Sequence, residues 1–153
     1  MRKIEDIFRR LKFRSSGHAL VWNTPEEFRI RLNRLREIVP VHEAVIENIR
    51  YGFFLLFVKG QEDIRQSLPF LSENLEPDGI LWFAYPKKSS KKYDSRLSRE
   101  VGWDAIRQLG YEPVRQVAID QDWSALRFRE ERYIRLLLRN RNNEPSGGHS
   151  DKL

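Results

Sequence analysis

The residues best suited to binding a ligand form a basic loop that follows a strongly apolar run. The run covers residues 79–85 and ends at Pro86, after which six residues supply four lysines and two serines: Lys87, Lys88, Ser89, Ser90, Lys91 and Lys92. Ammonium and hydroxyl groups placed together bind phosphates and carboxylates. We therefore predict that this basic loop, residues 87–92, is part of an anion-binding site.

Four further residues are predicted to lie near the basic loop. In open α/β sheets, ligands bind beyond the carboxyl ends of the strands, where the strand order reverses. Asn23 and Thr24 follow the first predicted strand, and Lys59 follows the third. Trp123 lies in a predicted hairpin, where it either stacks on a ligand ring or covers the sheet edge. The sequence favours the second role for Trp123, and both roles stay open.

The positive charge of the chain is concentrated in three segments. The net charge is +6, and residues 1–14, 86–99 and 127–141 carry +4, +5 and +4, whereas the remainder carries −7. This distribution attracts phosphorylated small molecules, nucleic acid or an acidic partner. A lysine- and serine-rich loop is also an ordinary solvated connection. A small anionic ligand is the first prediction, and a nucleic-acid-associated protein without a recognised nucleic-acid motif is the alternative.

The composition indicates a soluble domain. The chain has 153 residues, of which 40% are apolar, and no cysteine, which excludes disulfides, thiolate nucleophiles and cysteine-based metal sites. No apolar run approaches the roughly 18 residues of a membrane span. We expect a cytoplasmic monomer or homodimer that does not bind membranes. The expected organisation is an amphipathic helix within residues 1–16, one α/β domain over residues 17–141 and a disordered polar tail over residues 142–153.

The order of predicted elements indicates an α/β fold. Apolar patterning and turn residues predict helices over residues 4–13, 24–40, 61–75, 97–109 and 132–141. Strands are predicted over residues 18–22, 43–47, 51–58, 80–85, 113–120 and 124–130. This alternation predicts a three-layer, Rossmann-like fold with a mostly parallel open sheet and a C-terminal antiparallel hairpin. Residues 75–79 are predicted to form the turn before the fourth strand.

The second predicted helix carries a clear N-terminal signal. Thr24 is the expected N-cap, Pro25 takes the first helical position and Glu27 completes a capping box. The backbone N–H groups of this helix start add to the predicted anion site.

Residues 75–128 resemble an uncharacterised family of small bacterial proteins that share a domain of unknown function. The similar motifs are the turn at residues 77–79, the Pro-Lys-Lys-x-Ser loop at residues 86–90 and the hairpin Asp-x-x-Trp-Ser-x-Leu-Arg-Phe at residues 120–128. The resemblance implies a reduced domain of the Rossmann-like, class I methyltransferase type. It implies no particular activity.

The pattern required for a nucleotide cofactor or for catalysis is not evident. S-adenosylmethionine and dinucleotides need a glycine-rich turn after the first strand, whereas residues 22–25 contain no glycine. Glu47 would be the carboxylate at the end of the second strand. The three histidines lack metal-ligand spacing, and no serine elbow or P-loop occurs. We therefore predict no catalytic residue, metal or cofactor, and a degenerate S-adenosylmethionine-dependent methyltransferase is the second alternative.

Overall fold

The protein is built around one five-stranded mixed sheet. The computed structural model describes residues 4–14 and 17–142 of the chain. The strands are β1 (Ala19–Trp22), β2 (Tyr51–Phe57), β3 (Leu75–Pro86), β4 (Tyr111–Ala118) and β5 (Trp123–Glu130), and their order is β1-β2-β3-β5-β4. Strands β1, β2 and β3 are parallel, and β5 is antiparallel to both β3 and β4. The predicted α/β fold with its terminal hairpin is confirmed.

Helices cover both faces of the sheet because its central strands are apolar on both sides. The helices are α1 (Asp6–Arg10), α2 (Arg29–Arg36), α3 (Gln61–Glu73), α4 (Asp104–Gln108) and α5 (Glu131–Asn142), and a 3₁₀ turn, Glu26–Phe28, precedes α2. Along β2, Phe53 packs in the core with α1 and α2, whereas Phe54 packs in the core with α3 and α4. The result is a helix–sheet–helix sandwich, as expected from strands that are buried on both faces.

The N-terminal helix is fixed to the sheet by both packing and a hydrogen bond. Phe8 of α1 is buried, and its ring lies 5.8 Å from the ring of Phe28 in an edge-to-face arrangement. The carbonyl oxygen of Leu11 accepts a 2.8 Å hydrogen bond from the indole nitrogen of the buried Trp82. An aromatic contact and a satisfied indole N–H hold this helix over the centre of the sheet.

The strand predicted over residues 43–47 is wrong. Residues 43–47 belong to no strand, and the residue before them, His42, forms one isolated parallel bridge with Leu20 of β1. The His42 amide donates a hydrogen bond to the carbonyl of Ala19, and the His42 carbonyl accepts one from the amide of Val21. The chain then leaves the sheet through turns that include Asn48 at a positive φ of 70°. His42 pairs with one side of β1, and β2 pairs with the other side. The chain therefore changes direction across the sheet at β1, and the strand order reverses there.

The turn predicted over residues 75–79 is instead an irregularity inside β3. Leu75 pairs with Tyr51 and Ile80 with Phe53, so the residues between them bulge out of the ladder. Asp78 takes a positive φ of 54° there. A Cβ on Gly79 would lie 3.0 Å from the carbonyl oxygen of Glu76, which explains the glycine. The turn residues at Pro77 therefore mark a β-bulge inside β3, and the strand resumes its pairing with β2 at Ile80.

The helix predicted over residues 97–109 is much shorter, because α4 begins only at Asp104. Gly102 has a positive φ of 105°, which a continuous helix does not contain. The indole nitrogen of Trp103 donates a 2.6 Å hydrogen bond to the carbonyl of Ser98, so this loop wraps around a buried tryptophan. The end predicted at Gly110 is confirmed, with a φ of 91° just after the helix.

The last helix that the structure describes agrees with the predicted one. Helix α5 covers the predicted helix over residues 132–141 and continues to Asn142. Residues 143–153 of the predicted tail, and residues 1–3, 15 and 16 of the predicted N-terminal segment, lie outside the described residues. Across the part of the chain that the structure describes, no helix is both long enough and apolar enough to span a membrane.

Candidate functional site

An open cleft lies at the carboxyl ends of β1 and β2, where the strand order reverses. We call it the β1–β2 cleft, and its volume is about 580 Å³. Four of the ten predicted site residues line it: Asn23, Thr24, Lys59 and Trp123. The other lining residues are Pro25, Arg29, Glu43, Phe57 and Asp63. Residues from the ends of two parallel strands and from the β4–β5 hairpin thus meet at one edge of the sheet.

Asn23 shapes the turn that leaves β1. Its φ of 58° is the left-handed conformation that glycine adopts most easily and that asparagine tolerates. Its side-chain nitrogen donates a 3.3 Å hydrogen bond to the carbonyl of Phe57, at the end of β2. Although this turn contains no glycine, its backbone still turns sharply, and the asparagine connects the ends of both strands.

The predicted capping box does not form. The 3₁₀ turn has Pro25 at its N-cap position and no side-chain cap hydrogen bond. The hydroxyl oxygen of Thr24 is buried, and it has no hydrogen-bond partner among the described residues. The carboxylate of Glu27 binds residues that lie far along the chain instead. The local pattern is therefore a correct signal for a helix start, but tertiary contacts engage the Glu27 carboxylate that would complete the capping box.

Glu27 is the centre of a hydrogen-bonded cluster that we call the Glu27 cluster: Glu27, Lys92, Tyr93 and Trp123. The carboxylate accepts hydrogen bonds from the Trp123 indole nitrogen at 2.7 Å, from the Tyr93 hydroxyl at 2.7 Å and from the Lys92 ammonium at 3.0 Å. Burial alone would raise the pKa of Glu27, but these donors outweigh it and lower the pKa to about 2. The cluster joins the helix start, the basic loop and the hairpin.

Tyr93 connects the Glu27 cluster to Lys59. Its ring lies 5.0 Å from the Trp123 ring, and the Lys59 ammonium lies 5.0 Å from the centre of the Tyr93 ring. Burial and the hydrogen bond to Glu27 raise the pKa of Tyr93 to about 12, so its hydroxyl stays protonated as a donor. The contact between the Lys59 ammonium and the Tyr93 ring is a cation–π interaction at an exposed site. Within the described ranges, Lys59 forms no ion pair with a carboxylate.

The backbone around Lys59 is fixed on both sides. Its amide donates a 2.9 Å hydrogen bond to the carboxylate of Asp63, and its carbonyl accepts a 2.9 Å hydrogen bond from the Ser95 hydroxyl. A second cleft of about 510 Å³ adjoins this position, and its lining includes Lys59, Gly60, Gln61, Ser95 and Arg96. Lys59 therefore lies between two neighbouring clefts at the carboxyl end of β2.

Most of the basic loop lies away from both clefts. Lys87, Lys88, Ser89 and Lys91 line neither cleft. The Ser90 hydroxyl donates to the carboxylate of Asp122 at 2.8 Å and accepts the amides of Lys92 and Tyr93. Ser90 thus holds the loop against the hairpin, and Lys92 reaches Glu27. Ser90 and Lys92, the loop side chains with an observed hydrogen-bond partner, therefore hold the loop in position.

The carboxylate at the reversal point is Glu43 rather than Glu47. Glu43 lines the β1–β2 cleft, whereas Glu47 is exposed in a turn and lines neither cleft. Glu43 is bonded to Arg29 at 2.8 Å and also to Arg36. Because both of its oxygens already bind arginines, the carboxylate is engaged before any ligand arrives.

Three residues of the site were not anticipated: Arg29, Tyr93 and the role of Glu27. Their partners lie 14, 66 and 96 residues away along the chain, so no local spacing signals them. The described residues contain no group of three or more histidine, cysteine, aspartate or glutamate side chains suited to a metal ion.

Comparison with known proteins identifies the fold. No protein family profile and no curated protein matches the chain, so the resemblance to the small bacterial family stays a prediction. The structure of the N-methyltransferase NodS from Bradyrhizobium japonicum WM9 is similar with a TM-score of 0.51 and 14% identity, over 80% of this chain and 92% of NodS.

Two further structures have lower scores. A fibrillarin–Nop5p complex has a TM-score of 0.44 and 9% identity, over 77% of this chain and 74% of that one. A putative methylase from Haemophilus influenzae has a TM-score of 0.41 and 6% identity, over 78% and 82%. The similarity to NodS, together with the strand order, shows that the chain has a Rossmann-like α/β fold.

Proposed function

We propose that the β1–β2 cleft binds a small anionic ligand and that Lys59 is the cation that binds it. The observation that carries this proposal is the position of Lys59, which lines both clefts at the carboxyl end of β2. Its ammonium has an aromatic neighbour and no carboxylate partner in the part of the chain described above. A phosphate or carboxylate oxygen is the partner that such an ammonium lacks.

The walls of the cleft suit a ligand that has both an anionic group and an apolar ring. Phe57 and Trp123 are buried aromatic residues at one wall, and Pro25 lies beside them. The Thr24 hydroxyl, which has no partner among the described residues, and the Asn23 side chain add polar contacts at the turn. Apolar walls with a few polar groups are typical of sites for small molecules. A mononucleotide has this combination of groups.

The charges of the cleft indicate modest affinity. Lys59 and Arg29 line it together with Glu43 and Asp63, so the lining side chains carry equal numbers of positive and negative charges. Binding must therefore depend on where Lys59 lies rather than on an overall positive field. We expect dissociation constants near 1 mM, or about −4 kcal/mol, and weaker binding as salt concentration rises.

The basic loop is proposed as an outer contribution to the same site. Lys87, Lys88 and Lys91 lie on the loop that the Glu27 cluster and the hairpin hold in position. Their charges raise the local concentration of anions without contacting the cleft. We assign no reaction to the protein.

The test compares two charge-neutralised variants. Adenosine monophosphate is titrated by calorimetry into the unmodified protein, Lys59→Gln and the matched control Lys88→Gln. We expect Lys59→Gln to weaken binding about tenfold, because a charge-assisted hydrogen bond contributes about 1.5–3 kcal/mol. Lys88→Gln should change the dissociation constant less than about twofold. Equal affinities for the unmodified protein and Lys59→Gln would refute the proposal.

A degenerate methyltransferase is the second candidate. It is supported by the fold shared with an N-methyltransferase and by the location of the cleft at the strand-reversal point, where such sheets bind their ligands. Against it, the carboxylate suited to ribose hydroxyls, Glu43, is held by Arg29 and Arg36. Calorimetry with S-adenosylmethionine at about 1 mM decides between them, since no heat at that concentration removes this candidate.

A further inference from the structure

Four arginines lie near one another, three on the sheet and one after α1, and none of them lines either cleft. Arg127 on β5 is directly opposite Arg115 on β4 and Trp82 on β3. Arg129 lies two residues further along β5, so its side chain projects from the same face. Arg14, after α1, also acts electrostatically on Arg127. We call Arg14, Arg115, Arg127 and Arg129 the arginine cluster.

One carboxylate compensates the arginine cluster only in part. Asp78 binds Arg129 through two hydrogen bonds, of 2.8 Å and 2.6 Å. The Nε of Arg127 is buried and has no hydrogen-bond partner within the described segments. Burial and the positive charge of Arg129 are the main causes that lower the pKa of Arg127, although its guanidinium remains protonated. Four positive charges against one negative charge leave this surface strongly basic.

This arrangement is unfavourable in the protein alone. Like charges directly opposite each other on neighbouring strands destabilise a sheet, and Arg115 and Arg127 are such a pair. A buried guanidinium N–H without an acceptor adds to this cost. An anion with several acceptor oxygens would offset the repulsion between the guanidinium groups, because these groups bind phosphate oxygens in pairs.

The arginine cluster is separate from the β1–β2 cleft. Strand β5 runs antiparallel to β3, so Arg127 and Arg129 lie towards the amino end of β3, beside Trp82 and near Asp78. The cleft lies at the opposite end of the strands, beyond the carboxyl ends of β1 and β2. We propose that the arginine cluster is a second anion site, which binds the phosphate groups of a phosphorylated ligand.

Pyrophosphate is the probe, because it carries several charged oxygens in a compact shape. It is titrated by calorimetry at constant ionic strength into the unmodified protein, Arg115→Gln and Arg127→Met. The control Arg65→Gln removes an exposed arginine from α3, where it pairs with Glu62 on the same helix. We expect about tenfold weaker binding for Arg115→Gln and Arg127→Met and no change for Arg65→Gln.

Two features keep this test decisive. Arg115 is exposed, so Arg115→Gln gives an interpretable result even if Arg127→Met fails to fold. Lys59→Gln should bind pyrophosphate at the arginine cluster as the unmodified protein does, which separates this site from the proposed function. Unchanged affinity in Arg115→Gln, or pyrophosphate binding that is lost in Lys59→Gln, would overturn the proposal.

The source of the phosphate is distinguished in a second titration. A single-stranded oligonucleotide of about 12 residues replaces pyrophosphate in the same variants. Affinity more than about tenfold higher than for pyrophosphate, lost in Arg115→Gln, would identify a nucleic-acid backbone as the ligand. Equal or weaker affinity would identify a small phosphorylated molecule.

Discussion

Glu27 accepts a 2.7 Å hydrogen bond from the indole nitrogen of Trp123, which lies 96 residues further along the chain. This contact joins the start of the second helical segment to the first residue of β5. It also gives one wall of the β1–β2 cleft a fixed tryptophan, since Trp123 is buried and its only polar hydrogen is already used. The hydrogen bond to Glu27 therefore fixes the position of one residue that lines the cleft.

Replacing Glu27 should make stability less dependent on acid pH. The pKa of Glu27 falls from 4.5 to about 2 in the folded protein, so the folded state favours the charged form. Its contribution is complete above pH 4.5 and is lost as pH falls from there towards 2. We expect Glu27→Gln to lower the free energy of unfolding by about 1–3 kcal/mol at pH 6, and by less at pH 3.

Urea unfolding at both pH values measures this effect. Glu26→Gln is the matched control, because Glu26 is the exposed neighbour in the same turn. A loss in Glu27→Gln that is equal at pH 6 and pH 3 would show that the charge of Glu27 does not stabilise the fold. A loss equal to that of Glu26→Gln would show that the Glu27 cluster adds no stability of its own.

Two glycines near Lys59 should respond differently to alanine. Gly102 has a positive φ of 105°, and an added Cβ would lie 2.3 Å from the side chain of Leu97. Gly60, in the same second cleft, meets nothing within 4 Å. We expect Gly102→Ala to cost about 1–3 kcal/mol and Gly60→Ala, at the N-cap of α3, less than about 1 kcal/mol, as measured by thermal unfolding. Equal losses would contradict the loop geometry described around Trp103.

Neutralising the free part of the basic loop should affect binding less than neutralising Lys59. We expect a Lys87→Ala, Lys88→Ala and Lys91→Ala triple variant to weaken adenosine monophosphate binding less than about threefold at physiological salt, because screening reduces long-range attraction. Lys92 stays unchanged, since it binds Glu27. A loss larger than that of Lys59→Gln, measured by the same calorimetry, would move the site from the cleft to the loop.

The sheet could be predicted from the sequence because its determinants are local. Strand β2 and residues 80–85 of β3 are apolar runs, and β4 and β5 are separated by a short polar turn, so the order and direction of these strands follow from general rules of connection. The bulge at Asp78 in β3 could not be predicted, because the residues before Gly79 are equally typical of a turn between two elements.

The contacts of the site could be predicted only in part. Asn23, Thr24 and Lys59 each follow a strand in the sequence, and the structure places all three around one cleft. The partners of Glu27 could not be predicted, because its spacing from Thr24 fits a local cap equally well. Helix α4 was overextended because periodicity does not report that Trp103 is wrapped by an irregular loop.

The most direct test of the proposed function is an NMR titration that locates the bound anion. Adenosine monophosphate is added to isotope-labelled protein, and backbone amide shifts are followed residue by residue. The proposal predicts that the largest changes occur at Asn23, Thr24, Lys59 and Gly60, and that they are much smaller in Lys59→Gln at the same ligand concentration. Changes confined to residues 87–92 or to Arg115 and Arg127, with the amides of the cleft unmoved, would contradict it.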